Sequence, residues 1–388
     1  MMNNQILYIS VLVTSTTHAE VREKYPEVDD FAVQKFNRLV AEGLASNGSE
    51  VKVLSVFYTP KGLWAHKKET EKGVDYSYIP SFALPFVRQV IILLCCFFYV
   101  LLWGLFNRKE KVLMCDVLNV SACTGAIAAA SILGLRRVGI MTDMPGLMVT
   151  GCGSKRKRFF SSAPLCRHNL AKFTHFVFLT EQMNEINEKK RPYIVMEGLV
   201  SSDVTTAQEE KEQPRTIFYA GGLYAKYGLR MLIDAVKSLP LKDIQLVLYG
   251  KGPIVDELNS ETDSRIVYRG LAPNEVIVEA EQRATLLVNP RPTNEAFTQY
   301  SFPSKNMEYM LSGTPLLTTR LPGMPQEYYP YVFLFDDETT ESYAKTLHQV
   351  LSLSDQVLTE KGANAKQWVM ESKNNTHQAG RILKMLEK

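Results

Sequence analysis

The sequence predicts an α/β protein of two Rossmann-like domains, each a parallel sheet wound on both faces by helices. Short apolar runs alternate with helical periodicity along most of the chain, and 388 residues with 46% hydrophobic content exceed what one core usually holds. Several of those runs also empty into glycine, proline or polar loops. A polar, proline-marked stretch, Thr205–Arg215, then divides the chain. The expected domains are 1–203 and 204–370, followed by a terminal helix over 371–388.

Composition narrows the class. A net charge of +3 is too slight to mark a nucleic-acid binder. The cysteines, Cys95, Cys96, Cys115, Cys123, Cys152 and Cys166, form no CxxC pair and read as buried, reduced thiols. The apolar N-terminal stretch lacks a basic lead and a small-residue cleavage site, so a cytoplasmic first strand is expected.

That strand is Ile6–Val13. TSTTHAEVREKYPEVDD follows as a long polar loop carrying His18, then a helix over 31–45 with Phe36, Leu39, Val40 and Leu44 on one face. Val51–Phe57 is the second strand, and Tyr58–Tyr76, with Pro60, Gly62 and Gly73, a surface excursion. No charge stands between Arg88 and Arg108, a length close to the roughly 20 residues of a membrane span. Strands of one sheet on both sides argue against a crossing. A helix buried in the domain or lying partly in the membrane surface is expected instead. The loop SKRKRFFS sets Arg156, Lys157 and Arg158 beside Phe159 and Phe160, a pairing that suits anionic headgroups; a solvated basic loop and a nucleic-acid patch are the other readings.

Val112–Val120, Thr124–Leu135 and Arg137–Thr142 read as strand, helix and strand, delivering Asp143 at the carboxyl end of the sheet, where α/β folds bind ligands. A turn-forming Asp before proline is its plain alternative. Phe176–Thr180 is a further strand, and Tyr193–Val200 leads the chain out of the first domain.

The second domain opens with the strand Thr216–Ala220, and Gly221 and Gly222 then let backbone approach a diphosphate. Ile244–Tyr249 exits into Gly250, Lys251 and Gly252, and Val267–Leu271, which includes Arg269, repeats the pattern. Thr285–Asn289 ends at Pro290 and Pro292; Pro303 opens a helix at its first position, and Gly313 with Pro315 closes it. Ser304 and Lys305 then occupy a helix N-terminus, a natural anion site, with Glu308 one turn in and able to accept from neighbouring hydroxyls such as those of a ribose. A capped surface helix with a solvated Lys and Glu is the bland alternative. A strand at Val332–Phe335 is followed by helical patterns at 344–351 and 381–386.

PSKNMEYMLSGTPLLTT resembles the donor-binding segment of GT-B glycosyltransferases, specifically retaining family 4. FYAGGLYAKYGLRMLIDAV is similar to the strand, glycine loop and helix that open that family's second domain, and LVLYGKGP to its nucleotide-side loop. The resemblance implies two domains facing across a cleft, the terminal helix 371–388 packing toward the first domain, and transfer of a sugar from a nucleotide-sugar, a UDP-sugar favoured, with retention. It implies catalytic roles for Asp143, Lys305 and Glu308 and donor contacts from Gly221, Gly222, Lys226, Gly252, Arg269, Glu295 and Ser304. His18 and Asp143 fall on the acceptor side. Two departures stand out. The family's glycine-loop arginine and lysine positions hold Gly222 and Tyr227, so Lys226 and Lys305 are expected to take over the charge, with Arg230 close by. The first Glu of its paired-glutamate motif is Tyr300, for which Glu295 is the substitute. No acidic pair ends a convincing strand, so no metal and no cofactor is expected. The expected partners are the nucleotide-sugar, a saccharide or lipid-linked saccharide acceptor in bacterial surface polysaccharide assembly, and the inner face of the cell membrane, but no nucleic acid. A nucleotide-sugar epimerase and a catalytically silent partner subunit are the alternatives.

Overall fold

The computed structural model describes residues 4–25, 31–58, 63–82, 84–106, 110–145, 163–203 and 209–387. It divides into two units, Met1–Leu199 with Asn375–Lys388, and Val200–Asn374. The basic-aromatic stretch Arg156–Phe160 lies outside the described residues.

The first unit runs β1 (Gln5–Ser10), α1 (Ser15–Lys24), α2 (Phe31–Ser46), β2 (Glu50–Ser55), β3 (Leu63–Trp64), β4 (Glu69–Glu71), β5 (Val74–Tyr78), β6 (Ser81–Phe82) and α3 (Pro85–Leu105). It continues with β7 (Lys111–Asp116), α4 (Val120–Ile132), β8 (Arg136–Met141), α5 (Ala163–Leu170), β9 (His175–Phe178) and β10 (Tyr193–Val195). Its main sheet is ordered β10-β9-β8-β7-β1-β2-β5-β4, parallel except for the last pair. Every residue of β1 is buried, as a central parallel strand covered on both faces requires.

Two expectations are corrected here. The supposed first loop contains α1, whose cap is Thr14, its hydroxyl accepting from the Thr17 amide at 3.1 Å. His18 therefore rides on a helix. Only Thr17 and Val21 of α1 are buried, so no apolar stripe announced it. The supposed excursion over 58–76 supplies β4 and most of β5, which pairs with β2 through Val51–Val74 and Val53–Tyr76. Val74 and Tyr76 are buried in alternation, a period of two hidden among charges.

The second unit runs β11 (Arg215–Ala220), α6 (Leu229–Ser238), β12 (Ile244–Tyr249), α7 (Val255–Asn259), β13 (Ile266–Tyr268), α8 (Asn274–Arg283), β14 (Leu286–Asn289), α9 (Ser304–Ser312), β15 (Leu316–Thr318), β16 (Phe333–Leu334), α10 (Thr340–Leu351) and α11 (Asp355–Ser372). Its sheet is wholly parallel in the order β13-β12-β11-β14-β15-β16. The chain builds outward from β11 through β12 to β13, then returns to β14 and builds the other way. That reversal sets a topological switch between β11 and β14. Helices α6 and α10 cover one face of the sheet, α9 and α11 the other.

Pro303 is the residue before α9 rather than its first: its carbonyl accepts from the Asn306 amide at 3.0 Å while its own backbone stays extended. Gly313, at φ 82°, ends the helix in the left-handed conformation glycine tolerates best.

The last helix, α12 (Asn375–Leu386), belongs to the first unit and packs on α2. Ala379, Ile382, Met385 and Leu386 enter that unit's core, and a Cβ on Gly43 would lie 2.1 Å from the Asn375 carbonyl oxygen. Arg136 also donates to the Leu386 carbonyl at 2.6 Å.

Candidate functional site

The carboxyl ends of β11 and β14 carry the chemistry. Gly221 leaves β11 with its amide bonded to the Tyr249 carbonyl at 2.9 Å, and Gly250 bonds the Gly270 carbonyl at 2.8 Å, so the exits of β11, β12 and β13 are laced together. Gly250 and Gly252 are forced to be glycine by backbone: an added Cβ would sit 1.8 Å from the Gly221 oxygen and 2.2 Å from the Leu223 oxygen, respectively.

Lys305 reaches from the first turn of α9 across this loop. A Cβ on Gly221 would stand 2.3 Å from Lys305 Cε and 3.1 Å from its Nζ. Tyr309, one turn on, locks α9 to the strand by accepting from the Ala220 amide at 2.9 Å. Burial pushes the Lys305 ammonium below the usual lysine range, while the charges of Glu308 and Glu281 pull it back. Ser304 is exposed at the tip, and Glu308 is half-buried one turn further in.

The loop after β14 adds a residue that sequence reasoning missed. Arg291 is half-buried, with its guanidinium over the rings of Tyr227 (5.0 Å) and Phe297 (5.4 Å). Its Nη1 reaches Ser301 Oγ at only 3.4 Å, and its Nε, buried, has no partner among the described residues. Burial lowers its pKa, and its charge bears in turn on Lys305, which places the cations near one another. The loop is rigidly braced: Tyr343 donates to the Pro290 carbonyl at 3.3 Å, Thr319 to the Arg291 carbonyl at 2.6 Å, and the Thr293 amide to Glu338 at 2.9 Å. One signal was available, a cation between two prolines just past a strand end.

Lys226 shares the same rings, 5.5 Å from Tyr227 and 5.8 Å from Phe297, but is exposed. Arg230 is taken up by Glu257 on the surface. Gly222 lies under the Tyr224 and Tyr227 rings. The Arg269 side chain is exposed and faces a separate small cavity with Glu212, Gln245 and Tyr249, so the structure does not bring it to Lys305. Glu295 precedes a short 3-10 turn, its carbonyl accepting from Thr298, and its carboxylate makes no ion pair among the described residues.

In the first unit, Asp143 follows β8. It is half-buried, its carboxylate raised in pKa by burial and held back by the Met144 amide at 2.8 Å. Burial, with Arg38 and Arg22 nearby, keeps the His18 imidazole below its usual pKa. The cluster of Lys305, Arg291, backbone amides and an α9 N-terminus can hold a di-anion, and a carboxylate one turn inside can accept from hydroxyls beside it.

Residues 214–353 match the family of glycosyl transferases group 1. That stretch covers most of the second unit, which is a group 1 glycosyltransferase domain, and the fold of the chain is GT-B. Solved structures show the same fold along the chain. Sucrose-phosphate synthase from Thermosynechococcus elongatus is similar with a TM-score of 0.67 and 13% identity, over 98% of this chain and 99% of that one. The Anabaena protein HepE in complex with UDP gives 0.61 and 12%, over 99% of each. Trehalose-6-phosphate synthase from E. coli, bound with UDP-2-fluoro glucose, gives 0.64 and 9%, over 99% of each. No curated protein matches the chain in sequence.

Proposed function

We propose that this chain moves a sugar from a UDP-sugar to a saccharide acceptor carried on a lipid, in bacterial surface polysaccharide assembly, with retention and without metal. The observation that carries the reading is Lys305 lying against Gly221 of the glycine loop at the β11–β14 switch, with the half-buried Arg291 near enough to bear on its charge. Two proteins of the same fold were solved with UDP or a UDP-sugar, which favours uridine as the base.

Cleaving the bond between the anomeric carbon and the β-phosphate oxygen leaves negative charge on the diphosphate and positive character on the sugar. Lys305, Arg291, the α9 amides and the Gly221–Gly222 backbone meet the first. Glu308 accepts from the ribose hydroxyls. The acceptor oxygen bonds the anomeric carbon on the face the phosphate leaves, and the departing phosphate oxygen takes the acceptor's proton. Asp143 holds a sugar hydroxyl or faces the developing positive charge, and His18 lies on the acceptor side.

A thermal-shift screen against UDP-, GDP-, ADP-, CMP- and dTDP-sugars tests this. A ligand that binds only the folded chain at about a hundred times its Kd adds about 2.7 kcal/mol. Stabilisation by UDP-sugars alone, abolished in Lys305→Ala, is expected; no shift with any of them removes the reading. Turnover with a lipid-linked saccharide, set against the same saccharide free, then tests the acceptor.

A further inference from the structure

The longest helix of the first unit turns an apolar side to solvent. On α3, Phe86, Val90, Leu94, Phe98 and Leu102 recur every fourth residue and all are exposed, Phe86 by 81%, with Val87 and Leu105 beside them. This ridge runs along about 25 Å of helix. Ile92, Cys96 and Val100 are the buried positions, and α3 packs on α4. The packing is backbone-close: a Cβ on Gly125 would lie 2.0 Å from the Leu93 oxygen, and one on Gly104 would lie 2.2 Å from Leu133.

By length and composition α3 qualifies to cross a bilayer. Its place in the fold forbids it, because it is docked on α4 from Leu93 to Gly104 and joins β5 and β7 of one sheet. Lying on a bilayer remains open to it. Charge selects that occupant: no Asp or Glu stands between Asp75 and Glu110, or in α4 or α5, whereas Arg88 and Arg167 do, and Lys172 follows α5. Arg167 and Lys172 are exposed, and Arg88 stacks 3.8 Å over the Tyr58 ring. The end of the helix is also prepared for a medium without water. Lys111, buried, donates to the carbonyls of Trp103 (2.7 Å), Gly104 (2.9 Å) and Phe106, satisfying groups a helix end otherwise gives to solvent. The ridge itself offers no side-chain donor or acceptor with which to orient a protein partner.

We infer that α3 is a membrane-docking helix, its ridge sunk into the acyl boundary of an anionic lipid surface and its axis parallel to that surface. The inference does not rest on the proposed reaction. Flotation of the full chain tests it, with vesicles of phosphatidylcholine and phosphatidylglycerol, with phosphatidylcholine alone, and with Leu94→Gln/Phe98→Gln/Leu102→Gln in parallel. The wild type should float with the anionic vesicles, less with the neutral ones, and the variant's partition should fall by more than about tenfold at an unchanged melting temperature. Should the variant fold poorly, Phe98→Trp reports by difference from the wild type with its three native tryptophans, the added emission moving to the blue on anionic vesicles. A wild type that stays at the bottom, a variant that floats equally well, or no emission shift overturns the inference. So does a wild type that sediments as a dimer which the triple variant dissociates, since that assigns the ridge to a second copy.

Discussion

Arg291→Gln offers the sharpest test of how the cation cluster works. In the free chain the guanidinium is held by two aromatic faces and one long contact to Ser301, and its Nε is unspent. A charge-assisted hydrogen bond to a phosphate oxygen is worth about 1.5–3 kcal/mol, which translates to about 10- to 150-fold in affinity. Losing the cation from over Tyr227 and Phe297 costs about 0.5–1 kcal/mol of stability for each ring. Calorimetric titration with UDP, UMP and uridine separates the two. UDP should weaken by the full factor, UMP by less, and uridine not at all, with Lys305→Met behaving alike. Equal losses along the series would refute a phosphate contact and assign Arg291 to holding its loop. An effect of Lys305→Met without one of Arg291→Gln would leave the donor site standing and remove only the arginine from it.

Three further outcomes are expected. Gly221→Ala adds a methyl 2.3 Å from Lys305 Cε, so the lysine must swing away; UDP affinity should drop about tenfold or more, and the backbone, at φ 158°, should cost about 1–3 kcal/mol in denaturant unfolding. Because burial lowers the Lys305 pKa, UDP affinity should begin to fall with rising pH before the usual lysine range, as titrations at stepped pH will show; a Lys305→Arg variant that falls equally would assign the decline elsewhere. Stability of the free chain should move oppositely there, since the unfolded lysine keeps its proton longer than the folded one. Burial pushes the Glu69 carboxylate up, but hydrogen bonds from Tyr78, His66, Thr14 and Thr17 outweigh it and bring the pKa down to about 2. Its share of stability is complete above the unfolded carboxylate value and is lost as pH falls from there toward about 2. Glu69→Gln should flatten that part of the urea-unfolding profile.

What the sequence disclosed follows physical lines. The β14–α9–β15 unit was legible because proline and glycine punctuate it, and the strands of the second unit's centre showed as short, mainly apolar runs. Helix α1 was not, since a helix that buries so little carries no stripe. Strand β5 was masked by charged neighbours, and the exposure of α3 is a property of what packs on it, not of its composition. The site divided in the same way. Lys305 and Glu308 share one helix and can be read from spacing, whereas Arg291 meets Tyr227 only because a parallel sheet brings the exits of β11 and β14 side by side. No local window contains that adjacency.

The place of α12 bears on how the protein is made. Ala379, Ile382, Met385 and Leu386 supply part of the first unit's core, so β1 to β10 lack that cover until the chain has passed through Val200–Asn374. The second unit is one continuous segment and has no such wait. The first unit therefore completes its core only after the segment of the second has been made. Until then the apolar ridge of α3 belongs to a domain with part of its core missing, the kind of partly built state in which exposed apolar surface favours misassociation.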